Sequence, residues 1–316
     1  MITEKLWKNR RAVQLENDEV RAVILPELGG KIASFCLKKT DFELLFQNCG
    51  EYKRPELYSQ FADFDASGFD DAFPCIDSET IHIEGREIKY PDHGEVWTMP
   101  LDYEISGGTV VLSGKSRILP YSYQKEINIE RNKMTVKYAI GNTGSYPFPY
   151  IWTMHCLIRC TEDMRISLPE ETKFVENVME SRHLGPAGTI HAYPKTTDLN
   201  GQAFYLDRVL PRNALNCEKY YVSGRVRKGE CGVYYPGRGA NFTISYDAQK
   251  LPYLGFWVTE GGFRGDYNCA LEPSTGYYDS VSIARKNNAL SQLAPGEKLN
   301  FEISMQLSLF GPGAKM

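Results

Sequence analysis

Residues 299–309 alternate without a break: Leu299, Phe301, Ile303, Met305, Leu307 and Leu309 are apolar, and the residues between them, Asn300 to Ser308, are polar. Successive side chains of an extended strand point to opposite faces, so this stretch reads as a long half-buried β-strand. The turn Ala294-Pro295-Gly296 leads into it. The same period of two runs through Ile127 and Ile129, then through Met134, Val136, Tyr138 and Ile140. The polar residues Glu130 to Lys133 between them read as a hairpin turn. Val20, Ala22 and Ile24 repeat the pattern, as do Phe242, Ile244 and Tyr246. Helical periodicity is scarce. Residues 171–183, followed by Gly185, could form a short helix, although Pro169 at their entry suits a strand equally. The 27 Gly and 17 Pro are spread through the chain, so turns are frequent and no long linker stands out. The expectation is one all-β domain over residues 1–316, built as a sandwich of sheets.

Composition narrows the function classes. Net charge is −4, with 36 basic and 40 acidic residues intermixed. That leaves no basic stripe for nucleic acid and no polybasic run for a membrane surface, so neither is an expected partner. No apolar run approaches the roughly 18 residues of a spanning helix. The first twenty residues carry charge throughout, with no apolar block of the kind a secretory signal needs. The eight cysteines are scattered, with no C-x-x-C pair. Cys156 and Cys160 lie close, but nothing completes a zinc pattern with them. Buried reduced thiols in a cytoplasmic protein, with no metal and no cofactor, are therefore expected. Aromatic residues make up 12% of the chain. Strand packing explains them, and so would a site that stacks flat rings on a sugar.

Four segments hold polar residues that strand packing does not ask for. They are Ser67-Gly68-Phe69-Asp70-Asp71-Ala72-Phe73-Pro74, Pro91-Asp92-His93-Gly94-Glu95-Val96-Trp97, Pro149-Tyr150-Ile151-Trp152-Thr153-Met154-His155, and Asn268-Cys269-Ala270-Leu271-Glu272-Pro273-Ser274-Thr275-Gly276. Each has an ordinary structural explanation when taken alone. A histidine in an apolar strand is usually a satisfied core residue, and Asp-Asp or Glu-Pro is usually turn chemistry.

Taken in order, these segments resemble the aldose 1-epimerase (galactose mutarotase-like) family. Asp18 to Ile32, with its Pro26-Glu27-Leu28-Gly29-Gly30-Lys31-Ile32 turn, resembles that family's first hairpin, which leads to a strand ending here in Glu43-Leu44-Leu45-Phe46. Asp92-His93-Gly94, with Trp97 and Pro100 after it, is similar to the family's substrate-binding turn. Trp152 to His155 resembles the strand carrying its second histidine. Leu254-Gly255-Phe256-Trp257, followed by Leu271 to Gly276, resembles the strand pair that delivers its glutamate. The turn Leu293 to Glu297 matches the C-terminal end.

The resemblance spans nearly the whole chain and implies a galactose mutarotase-like β-supersandwich with a sugar site on the larger sheet. It implies Glu272 as general base, His155 as general acid and His93 as a ligand near the sugar's ring oxygen. His93, Asp70, Asp71, Trp97 and Arg264 are the expected substrate contacts. The family places an arginine near Gly68 to Asp71, where this chain has two aspartates.

Interconverting anomers of a small carbohydrate requires a proton to leave the C1 hydroxyl as another reaches the ring oxygen. A carboxylate and a cationic imidazole do this, each contributing about 10²–10⁴-fold. An adjacent carboxylate, Asp70, Asp71 or Glu272 itself, would favour the imidazolium near neutrality. Three other readings compete: a sugar-binding or sensor protein of the same fold, a hexose-6-phosphate 1-epimerase using Arg86, Lys89, Lys219 or Arg264 on the phosphate, and a glycoside hydrolase pairing Glu272 with Asp71.

Overall fold

The computed structural model describes residues 1–310. The elements that build the core and the site are β1 (Val20–Leu25), β2 (Lys31–Leu37), β3 (Phe69–Ala72), β4 (Tyr121–Glu130), β5 (Lys133–Asn142), β6 (Thr153–Arg159), β7 (Asn216–Val222), β8 (Ala240–Tyr246), β9 (Tyr253–Glu260), β10 (Tyr267–Ser274), α1 (Val281–Lys286) and β11 (Lys298–Leu309). α1 is the only α-helix among the described residues, and no helix there is long and apolar enough to cross a membrane. Residues 171–183 form no helix: Phe174–Asn177 is a strand paired with both β7 and Ile190–Ala192. Six of the eight cysteines are buried, Cys217 is half-buried and Cys49 is exposed.

Two sheets dominate. The larger has 12 strands and runs Ile2–Trp7, Arg10–Glu16, β1, β2, β3, β6, β10, β9, β7, Phe174–Asn177, Ile190–Ala192, with a short strand paired at the side of β2. The smaller has 8, in the order Arg165–Ser167, Glu230–Tyr235, β8, β11, β5, β4, Thr109–Lys115, Asp102–Ser106. Every pairing in both is antiparallel. The alternating stretch 299–309 lies in β11, between β8 and β5. Its odd-numbered residues up to Leu307 enter the apolar core.

That core lies between the two sheets. Trp152 stands edge-on to Tyr138 and Phe301, at 4.9 and 4.6 Å between ring centres, and Tyr138 stacks on Phe301 at 4.7 Å. Such aromatic pairs contribute about 0.5–1.5 kcal/mol each beyond the area they bury. One polar cluster crosses the same space. Asp71 on β3 accepts hydrogen bonds from Tyr123 and Tyr138 and pairs with Lys125 Nζ at 2.6 Å. Asp71 and Lys125 are fully buried, so this pair ties the larger sheet to β4 and β5 of the smaller one.

Candidate active site

Alternation decides what each strand of the larger sheet shows to its other face. On β6, Met154, Cys156 and Ile158 enter the core, so His155 and Leu157 point away from it. On β10, Cys269 and Leu271 enter the core and Glu272 points away. On β9, Leu254, Phe256 and Val258 go in, leaving Gly255 and Trp257 outside. On β7, Tyr220 and Val222 go in, leaving Lys219 and Tyr221.

Register aligns these outward residues in rows. Asp70 pairs with His155, Glu272 with Gly255, and Gly255 with Tyr221. Between β6 and β10, Thr153 pairs with Ser274 and Leu157 with Ala270. That single offset sets His155 opposite Glu272. The ladder lapses at this point, where Pro273 has no N–H to donate. The next row runs Leu157, Ala270, Trp257, Lys219. Far-separated segments of the chain thus deliver an imidazole, a carboxylate and an ammonium to one face.

A cavity of about 510 Å³ opens there, lined by residues that include Phe61, Asp77, Asp92, His93, His155, Lys219, Trp257, Asn268, Glu272 and Asp279. The size falls within the range of small-molecule sites. Glu272 is fully buried, and neither carboxylate oxygen has a hydrogen-bond partner. Lys219 Nζ lies 3.2 Å from Oε2 in an ion pair that is not aligned as a hydrogen bond, and 2.8 Å from Asp279 Oδ2. Burial raises the Glu272 carboxyl above its ordinary value against the pull of Lys219. Among the described residues, no cluster of three or more His, Cys, Asp or Glu side chains forms a metal-ligand set.

His93 comes from a tight turn. Its φ is +56° and that of Gly94 is +70°; a Cβ on Gly94 would stand 2.0 Å from the Phe73 carbonyl oxygen, so only glycine fits. Asp92 locks the arrangement. Its Oδ1 lies 2.8 Å from His93 Nδ1, its Oδ2 accepts the Phe61 N–H, and its carbonyl accepts the Trp97 indole N–H. Burial opposes ionisation of Asp92, but the His93 ring and backbone N–H groups outweigh it and hold the carboxyl below its usual range. Phe61 stacks on His93 at 4.2 Å and stands edge-on to His155 at 4.9 Å. His93 and His155 are 4.8 Å apart, edge to face.

Glu272, His155 and His93 therefore line one cavity. The other four expected contacts do not line the cavity. Asp70 and Asp71 are adjacent in a strand and so face opposite ways. Asp71 is spent on the inter-sheet pair, which removes it as a partner for Glu272 in glycoside hydrolysis. Asp70 shares the face of His155 but is held 2.6 Å from Lys31 Nζ. Burial lifts its carboxyl above the usual range despite that lysine. Trp97 packs edge-on against Phe61 and Phe64, at 5.1 and 5.6 Å, and supports the wall without forming it. Arg264 donates to the carbonyls of Ala62 and Phe64, so it tethers the Phe61 segment. The imidazolium expected of His155 is corrected as well: burial first, then His93, Lys219 and Lys31, push it well below the usual histidine range. Lys219 enters the site as a partner of two carboxylates, and Asp279, Asp77, Phe61 and Trp257 join it without having been foreseen. Trp257 was readable, because it follows Gly255 at a spacing of two.

A family model described as a domain of unknown function, DUF4432, matches residues 220–307. No curated protein matches the sequence. Solved structures match in fold. The Slr1438 protein of Synechocystis sp. PCC 6803 superposes with a TM-score of 0.72 at 16% identity, over 95% of this chain and 96% of that one. A galactose mutarotase-like protein of Lactobacillus casei ATCC 334 gives 0.70 at 15%, over 94% and 100%. A galactose mutarotase related enzyme of Lactobacillus acidophilus gives 0.63 at 12%, over 96% and 100%. The chain has the galactose mutarotase-like β-supersandwich fold.

Proposed function

We propose that the protein is an aldose 1-epimerase-like isomerase that interconverts the α and β anomers of a free sugar. The observation that carries the reading is the opposition of His155 and Glu272 across neighbouring strands, at a cavity where neither carboxylate oxygen accepts a hydrogen bond. Glu272 takes the C1 hydroxyl proton. The electron pair of that O–H bond forms C1=O while the C1–O5 bond breaks, and O5 takes a proton from the His155 imidazolium. Rotation about C1–C2 presents the other carbonyl face. O5 then adds to C1 and returns its proton to His155, and Glu272 returns its own to the new anomeric hydroxyl. Burial, His93, Lys219 and Lys31 hold the His155 imidazole well below the usual histidine range, so this step draws on its minor protonated fraction. His93, oriented by Asp92, contacts the sugar near the ring oxygen. No cofactor enters these steps.

Charge favours an unphosphorylated substrate. Asp77, Asp92, Glu272 and Asp279 line the cavity, and Lys219 is already paired twice. Arg86 and Lys89 lie against Tyr146 and Tyr58, outside the lining.

Polarimetry on freshly dissolved aldoses and hexose 6-phosphates tests the proposal. Glu272→Gln keeps the shape and removes the base, so turnover should fall by about 10²–10⁴-fold; His155→Ala should fall comparably. His93→Ala should lower kcat/KM without abolishing turnover. If no sugar equilibrates faster than in buffer, yet one binds wild type and Glu272→Gln equally well, the protein is a sugar-binding module instead.

A further inference from the structure

We propose that Lys219 is a positioning residue of this site, whose ammonium holds Glu272 as the charged base and aims it into the cavity; the inference rests on the acid–base reading above. Lys219 is on β7 and Glu272 on β10, with β9 between them. The intervening position opposite Glu272 is Gly255. A Cβ there would stand 3.1 Å from Glu272 Oε2 and 3.0 Å from the Tyr221 ring, so the missing side chain leaves Lys219 room to reach across. Lys219 Nζ is 3.2 Å from Glu272 and 2.8 Å from Asp279, whose other oxygen accepts the Tyr221 hydroxyl at 2.9 Å. One ammonium, with a side chain only 10% exposed, thus serves two carboxylates. Such a charge is costly to bury unless it is paired.

The neighbouring groups are accounted for. His155 faces the cavity from β6, with the Lys31–Asp70 pair beside it. The Asp92–His93 pair and Asp77 come from loops, and Asp279 from the segment after β10. Within this set Lys219 pulls down the proton affinity of both Glu272 and His155, whereas Asp279 raises that of Glu272. Loss of the ammonium therefore makes both members of the acid–base pair hold protons more tightly. Both limbs of the pH profile then move upward together. A packing defect would lower the profile without moving it.

The experiment measures kcat/KM against pH by polarimetry, alongside the ¹³C carboxyl titration of Glu272, assigned with Glu272→Gln, in sugar-free protein. In Lys219→Met both limbs should rise by about one pH unit, with roughly a tenfold loss on the acid side. Lys219→Arg should restore the wild-type position. Asp279→Asn should move the acid limb and the carboxyl titration downward. Limbs and carboxyl titration unmoved in Lys219→Met overturn the proposal, as does an unmoved or rising acid limb in Asp279→Asn, which decides the matter if Lys219→Met does not fold. If wild type equilibrates no sugar, the epimerase reading falls, and the carboxyl titration alone decides the role of Lys219.

Discussion

At the scale of single residues, burial drives the two catalytic candidates toward each other. It raises Glu272 above its ordinary 4.5 and pushes His155 well below 6.5. The base works only where Glu272 is ionised, above its raised value. The acid works only where the imidazole is protonated, below its lowered one. Since kcat/KM reports the free enzyme, the profile should be a narrow bell centred on the acidic side of neutrality. Polarimetric rates from about pH 4 to pH 9 would check this, and a plateau extending above about pH 7 would contradict it. From the amino-acid sequence alone, any of three carboxylates could keep His155 charged. In the structure, Asp71 faces away from His155 and Asp70 is engaged by Lys31, while burial, His93, Lys219 and Lys31 push the imidazole toward its neutral form.

At the scale of elements, the site is a property of rows across strands. Its accuracy depends on Gly255, because any side chain there would meet the Glu272 carboxylate and the Tyr221 ring. Gly255→Ala is compatible with strand backbone, so the protein should fold with little change in Tm. The Glu272 carboxylate or the Tyr221 ring would have to give by a few tenths of an ångström, however, so kcat should fall by about tenfold. Thermal unfolding together with polarimetric kcat would test this; a kcat within twofold of wild type would show that the row tolerates the methyl group. The loop elements follow the same logic. Arg264 donates to the carbonyls of Ala62 and Phe64, and Trp97 packs on Phe61 and donates to the Asp92 carbonyl, so both brace the cavity wall from outside.

At the scale of the whole molecule, the two sheets are joined by an apolar core and by one buried charge pair within it. Asp71 and Lys125 are fully buried, and Tyr123 and Tyr138 complete the carboxylate's hydrogen bonds. Removing one partner leaves an uncompensated charge inside the protein, which costs about 3–5 kcal/mol. Asp71→Ala should lose stability of that order in urea unfolding followed by fluorescence. A loss below about 1 kcal/mol would mean that water or a shifted lysine relieves the charge.

Strand identity was legible in the sequence because alternation is local: each of the 299–309 residues needs only its neighbours to declare its face. The His93 turn was legible for a related reason, since Gly94 follows where the backbone demands glycine. Glu272, His155 and His93 could be singled out by their resemblance to a known family. Strand order and register were not legible, because they depend on non-local pairing that no window of sequence contains. Those pairings set His155 opposite Glu272 and brought Lys219 across Gly255. They sent Asp71 into the core while Asp70 stayed on the other face, and they turned Arg264 from an expected sugar ligand into a tether. The residue types for proton transfer were present in the sequence, but which of them share a cavity, and with what charge, depended on strand pairing and burial.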